Sequence, residues 1–131
     1  MTLARKKILA ISGSTKQQST NLNLIKAIAE LSADQIELML YDGLSNLPHF
    51  NPDMDDKNVS GHVKDFRQLL QSVDGVLICT PEYAMGLPGT LKNAIDWTVS
   101  YHVTNNIMQG LGLRIISNIA IFMIIFVVCA I

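Results

Sequence analysis

Between Lys6 and Trp97 the chain alternates between two rhythms of apolar residues. "KKILAIS", Lys6 to Ser12, is a short unbroken apolar run with basic residues before it and Gly13 after it, as in a strand covered on both faces of a parallel sheet. From Asn21 the spacing changes to three and four: Leu24, Ile25, Ile28, Ala29 and Leu31 predict a helix, with Ser19 to Asn21 available as caps. "QIELMLYD" then alternates, with Ile36, Leu38 and Leu40 on one face and Glu37, Met39 and Tyr41 on the other, which predicts a strand at or near a sheet edge. Residues 43 to 58 hold two prolines and a cluster of Asn and Asp and read as a long irregular loop. Val63, Phe66, Leu69, Leu70 and Val73 form a second helical stripe, "GVLICT" a third strand, and Leu91, Ala94, Ile95 and Val99 a third helix with Pro88 near its start. Strand and helix alternating in this way predict an α/β fold, a parallel sheet with helices on its faces and ligands beyond the carboxyl ends of the strands.

Two loops leave strands at that end. "GSTKQQSTN" sets Ser14, Thr15, Ser19, Thr20 and Asn21 around the single cation Lys16 at the start of a helix. Hydroxyls, an amide and free N–H groups converging on a helix N-terminus can cradle a phosphate, although a polar loop with a helix cap has the same composition. The loop is neither a Walker A sequence nor a GxGxxG fingerprint. "CTPEYAMGLPGTLKNAIDW", Cys79 to Trp97, carries more Gly and Pro than a plain turn needs, as expected where a ligand lies against the backbone itself. Cys79 has no neighbouring base and reads as a core thiol, Trp97 as packing, and His49 and His62 as solvated.

Composition narrows the function classes. A chain of 131 residues with 49% hydrophobic and 16% charged residues and a formal net charge of -1 is one domain long, with no basic footprint for nucleic acid. Cys79 and Cys129 lie in apolar runs without metal-ligand spacing to each other or to the histidines, so no metal site is expected and the setting reads as cytoplasmic. The apolar run behind Arg5, Lys6 and Lys7 is too short for a secretion signal.

"ISGSTKQQSTN" after the first strand and "PEYAMGLPGTLKNAIDW" after the third resemble the NADPH-dependent FMN reductase family over about residues 6 to 97. The resemblance implies a flavodoxin-like three-layer sheet with three clear strands and a possible fourth from the apolar tail. It implies FMN and NADPH as cofactors, a quinone, azo, metal-oxyanion or flavin electron acceptor, and a homodimer packed through the "LPHFNPDMDD" loop. By the same resemblance Ser14, Thr15, Lys16, Ser19 and Asn21 surround the FMN phosphate, with Lys16 where an Arg is usual. Pro81, Glu82, Tyr83 and Ala84 lie beside the flavin, Ala84 standing where the family generally has Asn. Gly86, Pro88 and Gly89 let the main chain pass close to the ring. The flavin carries the chemistry, so no catalytic side chain is nominated.

The resemblance stops at Trp97. All charged residues but Arg114 precede that point, which divides the chain into an FMN-binding core, 1 to 97, and a divergent hydrophobic tail, 98 to 131. The family continues with a fourth strand and a glycine-rich ring-binding loop, and no such loop stands at the expected place. Three readings of the tail are open: a strand laid beside the third by a right-handed crossover, a membrane helix over Ile115 to Ile131, or a truncated or frame-shifted end never selected to fold. The loss of charge favours the last as origin and the first as structural fate. The leading expectation is an FMN-dependent NAD(P)H oxidoreductase with weakened flavin binding; the alternatives are a flavin-binding or electron-transfer module without NADPH turnover, and a non-functional or membrane-associated fragment.

Overall fold

A computed structural model describes residues 4–55 and 58–98, together with the backbone of 111–116 and 123–130. Strand β1 (Lys6–Ser12) leads to helix α1 (Thr20–Leu31), strand β2 (Ile36–Tyr41), helix α2 (Gly61–Ser72), strand β3 (Gly75–Pro81) and helix α3 (Gly89–Asp96). Strands β4 (Leu111–Ile116) and β5 (Met123–Ala130) follow. The sheet order is β2-β1-β3-β5-β4, and β1 pairs in parallel with both β2 and β3. The three parallel strands and their helices bear out the expected α/β class, and β2 is at the edge its alternation predicts.

Strand alternation divides the core between two faces. Leu9, Ile11 and Val76 pack with Val63, Phe66 and Leu70 of α2 and Leu91, Ala94 and Trp97 at α3, whereas Ala10, Leu77 and Cys79 face Ile25 of α1. β1 and β3 are therefore covered on both sides, which is why their sequences read as continuous apolar runs. Serine side chains start the first two helices: Ser19 Oγ accepts from Asn21 N–H at 3.1 Å and Ser60 Oγ from Val63 N–H at 3.4 Å.

The long loop is more ordered than its composition suggests. It contains two short 3-10 turns, Leu44–Asn46 and Pro52–Met54, and side chains from the helices hold its backbone. Asn93 accepts from Phe50 N–H at 2.7 Å and donates to the Pro48 carbonyl at 2.9 Å, which also accepts from Trp97 Nε1 at 2.7 Å. Arg67 joins the Asp55 carboxylate, at 2.8 Å, to the Trp97 carbonyl, and its guanidinium lies 5.7 Å from the Trp97 ring centroid. Trp97 is thus packing, as expected, with its N–H satisfied by the loop.

The tail departs from expectation in direction. β5, not a crossover strand, lies beside β3, and it runs antiparallel, pairing Gly75 with Cys129 and Pro81 with Met123. β4, antiparallel to β5 and so codirectional with β3, lies one strand further out. The reason is connection length. The six residues between β4 and β5 suit a hairpin, whereas a parallel neighbour needs a crossover of about a dozen or more. The unbroken apolar run "MIIFVVCA" takes the position flanked on both sides, and Arg114 falls on the edge strand, where charge discourages further pairing. The membrane-helix reading of Ile115 to Ile131 fails here, since its described residues are strand, and among the described residues no helix is long and apolar enough to cross a membrane.

The Arg67–Asp55 pair is only 14% and 12% exposed, so removing one partner strands the other away from water. Arg67→Ala is expected to lower unfolding stability by about 3 kcal/mol, read as a lower urea midpoint. Lys92→Ala, which breaks the exposed pair with Asp96 on α3, is expected to change it by less than about 1 kcal/mol.

Candidate functional site

The carboxyl ends of β1, β2 and β3 finish level with one another, Ile11 opposite Tyr41 and Ser12 opposite Cys79. The loops after them therefore start from one rim. The β1 and β3 loops meet directly. Gly13 N–H donates to the Cys79 carbonyl at 2.7 Å, and a Cβ on Gly13 would overlap the Thr80 side chain and come within 3.1 Å of Leu91 Cδ2. Thr80 is fully buried, and its hydroxyl donates to the Pro81 carbonyl at 2.9 Å.

The β1 loop folds on its own hydroxyls. Ser12 Oγ donates to the Ser14 carbonyl at 3.2 Å, and Ser14 Oγ accepts from Lys16 N–H at 3.3 Å. Thr15 and Lys16 are exposed. Ser19 and Asn21 are buried at the N-terminus of α1, 6% and 5% exposed, and Asn21 Oδ1 is a buried acceptor with no hydrogen-bond partner. An unfilled acceptor away from water is costly unless a ligand reaches it.

The β3 loop is a tight reversal. Tyr83 N–H donates to the Gly86 carbonyl at 2.9 Å and Gly86 N–H to the Tyr83 carbonyl at 3.0 Å. The two residues between them, Ala84 and Met85, have φ of 50° and 62°. Both central residues of this hairpin turn are left-handed, a geometry that Asn-Gly meets without strain and that Ala and Met occupy at about 1 to 2 kcal/mol each. The Asn that the family resemblance places at Ala84 is thus a backbone choice as much as a polar contact. Tyr83 is 57% exposed and Met85 94%, so the turn projects from the rim.

A cavity of about 420 Å³ opens beside the β1 loop. Ser12, Ser14, Thr15, Lys16, Gln17 and Leu22 line one side, and Leu40, Tyr41, Asp42, Leu44 and Ser45 the other. Of the residues singled out from sequence, Ser14, Thr15 and Lys16 line it. Ser19 and Asn21 sit behind it at the helix start, and Pro81, Glu82, Tyr83, Ala84 and Gly86 are not among its lining residues. The sequence reading missed the β2 side altogether, although Tyr41, Asp42 and Leu44 follow a strand at the rim where ligands were expected. Gly43 was a signal of its own: its chain passes so near Tyr41 that a Cβ would lie 2.6 Å from the phenol oxygen.

Burial, with the Asp42 and Asp65 carboxylates adding to it, pushes the Tyr41 phenol up to about 12, so the ring meets the cavity as a neutral hydroxyl. Burial likewise raises the Cys79 thiol to about 11, which leaves an inert core sulfur, as the sequence predicts. Among the described residues no group of His, Cys, Asp and Glu could hold a metal ion.

The family model described as NADPH-dependent FMN reductase matches residues 6–112. The chain belongs to this family. It is similar to the NADH-dependent flavin reductase subunit 2 of Lactobacillus johnsonii, 35% identical over 72% of this chain and 50% of the relative. It is also similar to a 2-hydroxy-1,4-benzoquinone reductase from a Burkholderia species, 36% identical over 70% of this chain and 49% of the relative. Among solved structures, the flavoenzyme NAD(P)H:(acceptor) oxidoreductase FerB from Paracoccus denitrificans superposes with a TM-score of 0.67 and 34% identity, covering 74% of this chain and 53% of that one. The chain thus spans about half the length of the curated relatives it matches.

Two outcomes follow from the turn and from Tyr41. Met85→Gly, which removes an almost fully exposed side chain from a left-handed position, is expected to raise stability by about 1 kcal/mol, with a smaller gain from Ala84→Asn, both read in chemical denaturation. The Tyr41 pKa is about 12 in the fold against 10.0 for the free side chain. Its contribution to stability is therefore full below pH 10 and lost as pH rises towards 12, and Tyr41→Phe is expected to flatten that part of the stability profile.

Proposed function

We propose that this chain binds FMN at the carboxyl rim of its parallel strands and acts as an NAD(P)H-dependent oxidoreductase toward a small-molecule acceptor. The observation that carries the reading is the junction of the β1 and β3 loops at Gly13 and Thr80, which brings a hydroxyl-rich helix start and a projecting hairpin turn to one rim. The buried, unpartnered Asn21 Oδ1 beside the start of α1 is a further fit, because a carboxamide offers a donor and an acceptor to a phosphate and its polyol chain.

In this reading Ser14, Thr15, Lys16, Ser19 and Asn21 hold the phosphate, with the α1 N–H groups and dipole favouring its charge. Pro81, Glu82, Tyr83, Ala84 and Gly86 border the ring in the same reading. Bound FMN supplies hydride acceptance and onward electron transfer, and the protein's part is to orient and shield. In this reading the core before Trp97 carries these contacts, and β4 and β5 complete the sheet. Quinones, azo compounds, metal oxyanions and flavins are the candidate acceptors, and a homodimer and a cytoplasmic setting belong to the same reading. A flavin-binding or electron-transfer module without NADPH turnover is the second reading. NADPH oxidation with a quinone acceptor separates the two.

Micromolar affinity needs about 8 kcal/mol, of which a helix end gives roughly 0.3 to 2 and each bond to a charged group about 1.5 to 3. Titrating soluble protein with FMN and following flavin fluorescence is expected to show saturable binding. Lys16→Ala is expected to weaken it about ten- to a hundredfold without changing the urea midpoint. An unchanged flavin signal across the titration would overturn the proposal.

A further inference from the structure

Little slack separates the β3 turn from α3. Gly86 closes the turn, Leu87 packs against the core, and Pro88 is buried, its carbonyl accepting from Lys92 N–H at 3.0 Å in the first turn of the helix. With only those two residues between turn and helix, one of them with its φ locked by the proline ring, the turn cannot shift unless the helix shifts with it. The same helix reaches the β1 side of the rim, since Leu91, 1% exposed, lies 3.1 Å from where a Cβ on Gly13 would stand.

What fixes the far half of α3 is a segment outside any helix or strand, residues 48–50. The Asn93 carboxamide accepts from Phe50 N–H at 2.7 Å and donates to the Pro48 carbonyl at 2.9 Å, so one side chain satisfies both a donor and an acceptor of that segment. Trp97 Nε1 donates to the same carbonyl at 2.7 Å, and the Phe50 ring stands edge-on to the Trp97 ring with centroids 5.0 Å apart. Asn93 is not among the residues lining the cavity beside the β1 loop. We propose that Asn93 is a positioning residue for the flavin ring: by clamping α3 to residues 48–50 it sets where the β3 turn stands on the rim. The assignment rests on the FMN reading above. A supporting residue that lets the contacts it carries drift weakens those contacts and spares the others. The phosphate contacts of that reading start from β1 and α1, so the clamp governs the grip on the ring and leaves the grip on the phosphate unchanged.

The test titrates the whole chain and its variants with FMN and with riboflavin, which has the ring and lacks the phosphate, under conditions where circular dichroism shows each protein folded. Asn93→Ala is expected to weaken both ligands by the same factor, about tenfold, and to bring the absorption band of bound FMN closer to that of free FMN. The preference for FMN over riboflavin is thereby kept, whereas Lys16→Ala is expected to lower that preference and leave riboflavin binding as it is. Val63→Ala, a truncation in the core on α2 away from the clamp, is expected to lower the urea midpoint with both affinities and the band unchanged. Should Asn93→Ala not fold, Asn93→Asp, which keeps the acceptor for Phe50 N–H and loses the donor to Pro48, is expected to show the same pattern at smaller size. The FMN band decides even where riboflavin is held too weakly to measure. An unchanged affinity and band in the Asn93 variant, a lost preference for FMN, or an equal loss in Val63→Ala would each overturn the proposal alone. A wild-type protein that binds neither flavin would overturn the FMN reading, and the proposal with it.

Discussion

The site depends on one close approach. Gly13 can donate to the Cys79 carbonyl only because nothing projects from its Cα toward Thr80, a side chain already buried and hydrogen-bonded to the backbone ahead of it. Add a methyl group there and β1's loop must lift from β3, because interiors have no slack to absorb it. The hydroxyl-rich segment and the Tyr83–Gly86 reversal would then no longer share a rim. Leu91, third nearest to that imaginary methyl, extends the dependence to α3.

Behind the rim, the 43–58 loop acts as a brace. Asn93 and Trp97 hold its backbone from α3, and Arg67 ties it to α2 through Asp55, so the helix that follows the β3 loop is steadied from a part of the chain that otherwise looks irregular. Polar groups are fixed here in pairs, leaving few unmet inside. Among the described residues Asn21 Oδ1 is the exception, and its place at the candidate site is what gives the unmet group meaning.

Elements whose own residues decide their conformation were legible in the sequence. β1 and β3 announced themselves as doubly covered runs, α1 and α2 by spacing, α1 also by its Ser19 cap, and Trp97 as packing. The tail was legible as apolar but not in direction, because strand polarity is set by the length of a connection and by which edge is open, and neither is a property of "MIIFVVCA" itself. The β1 half of the site was visible as clustered hydroxyls. The β2 half was not, since Leu40, Tyr41 and Asp42 read as an ordinary strand end until register set them level with Ile11. Nor does "AM" in "YAMG" signal a turn; its two left-handed residues are imposed by the paired hydrogen bonds that flank them.

The antiparallel β5 has a consequence for how the molecule is made. Gly75 must wait for Cys129 and Pro81 for Met123, so on a ribosome adding about 5 to 20 residues per second one side of β3 stays unpaired for several seconds after β1 has covered the other. Through that interval an apolar strand edge is open to any extended chain nearby, and the nascent protein is at its most vulnerable to chaperone capture or to pairing with a neighbouring copy.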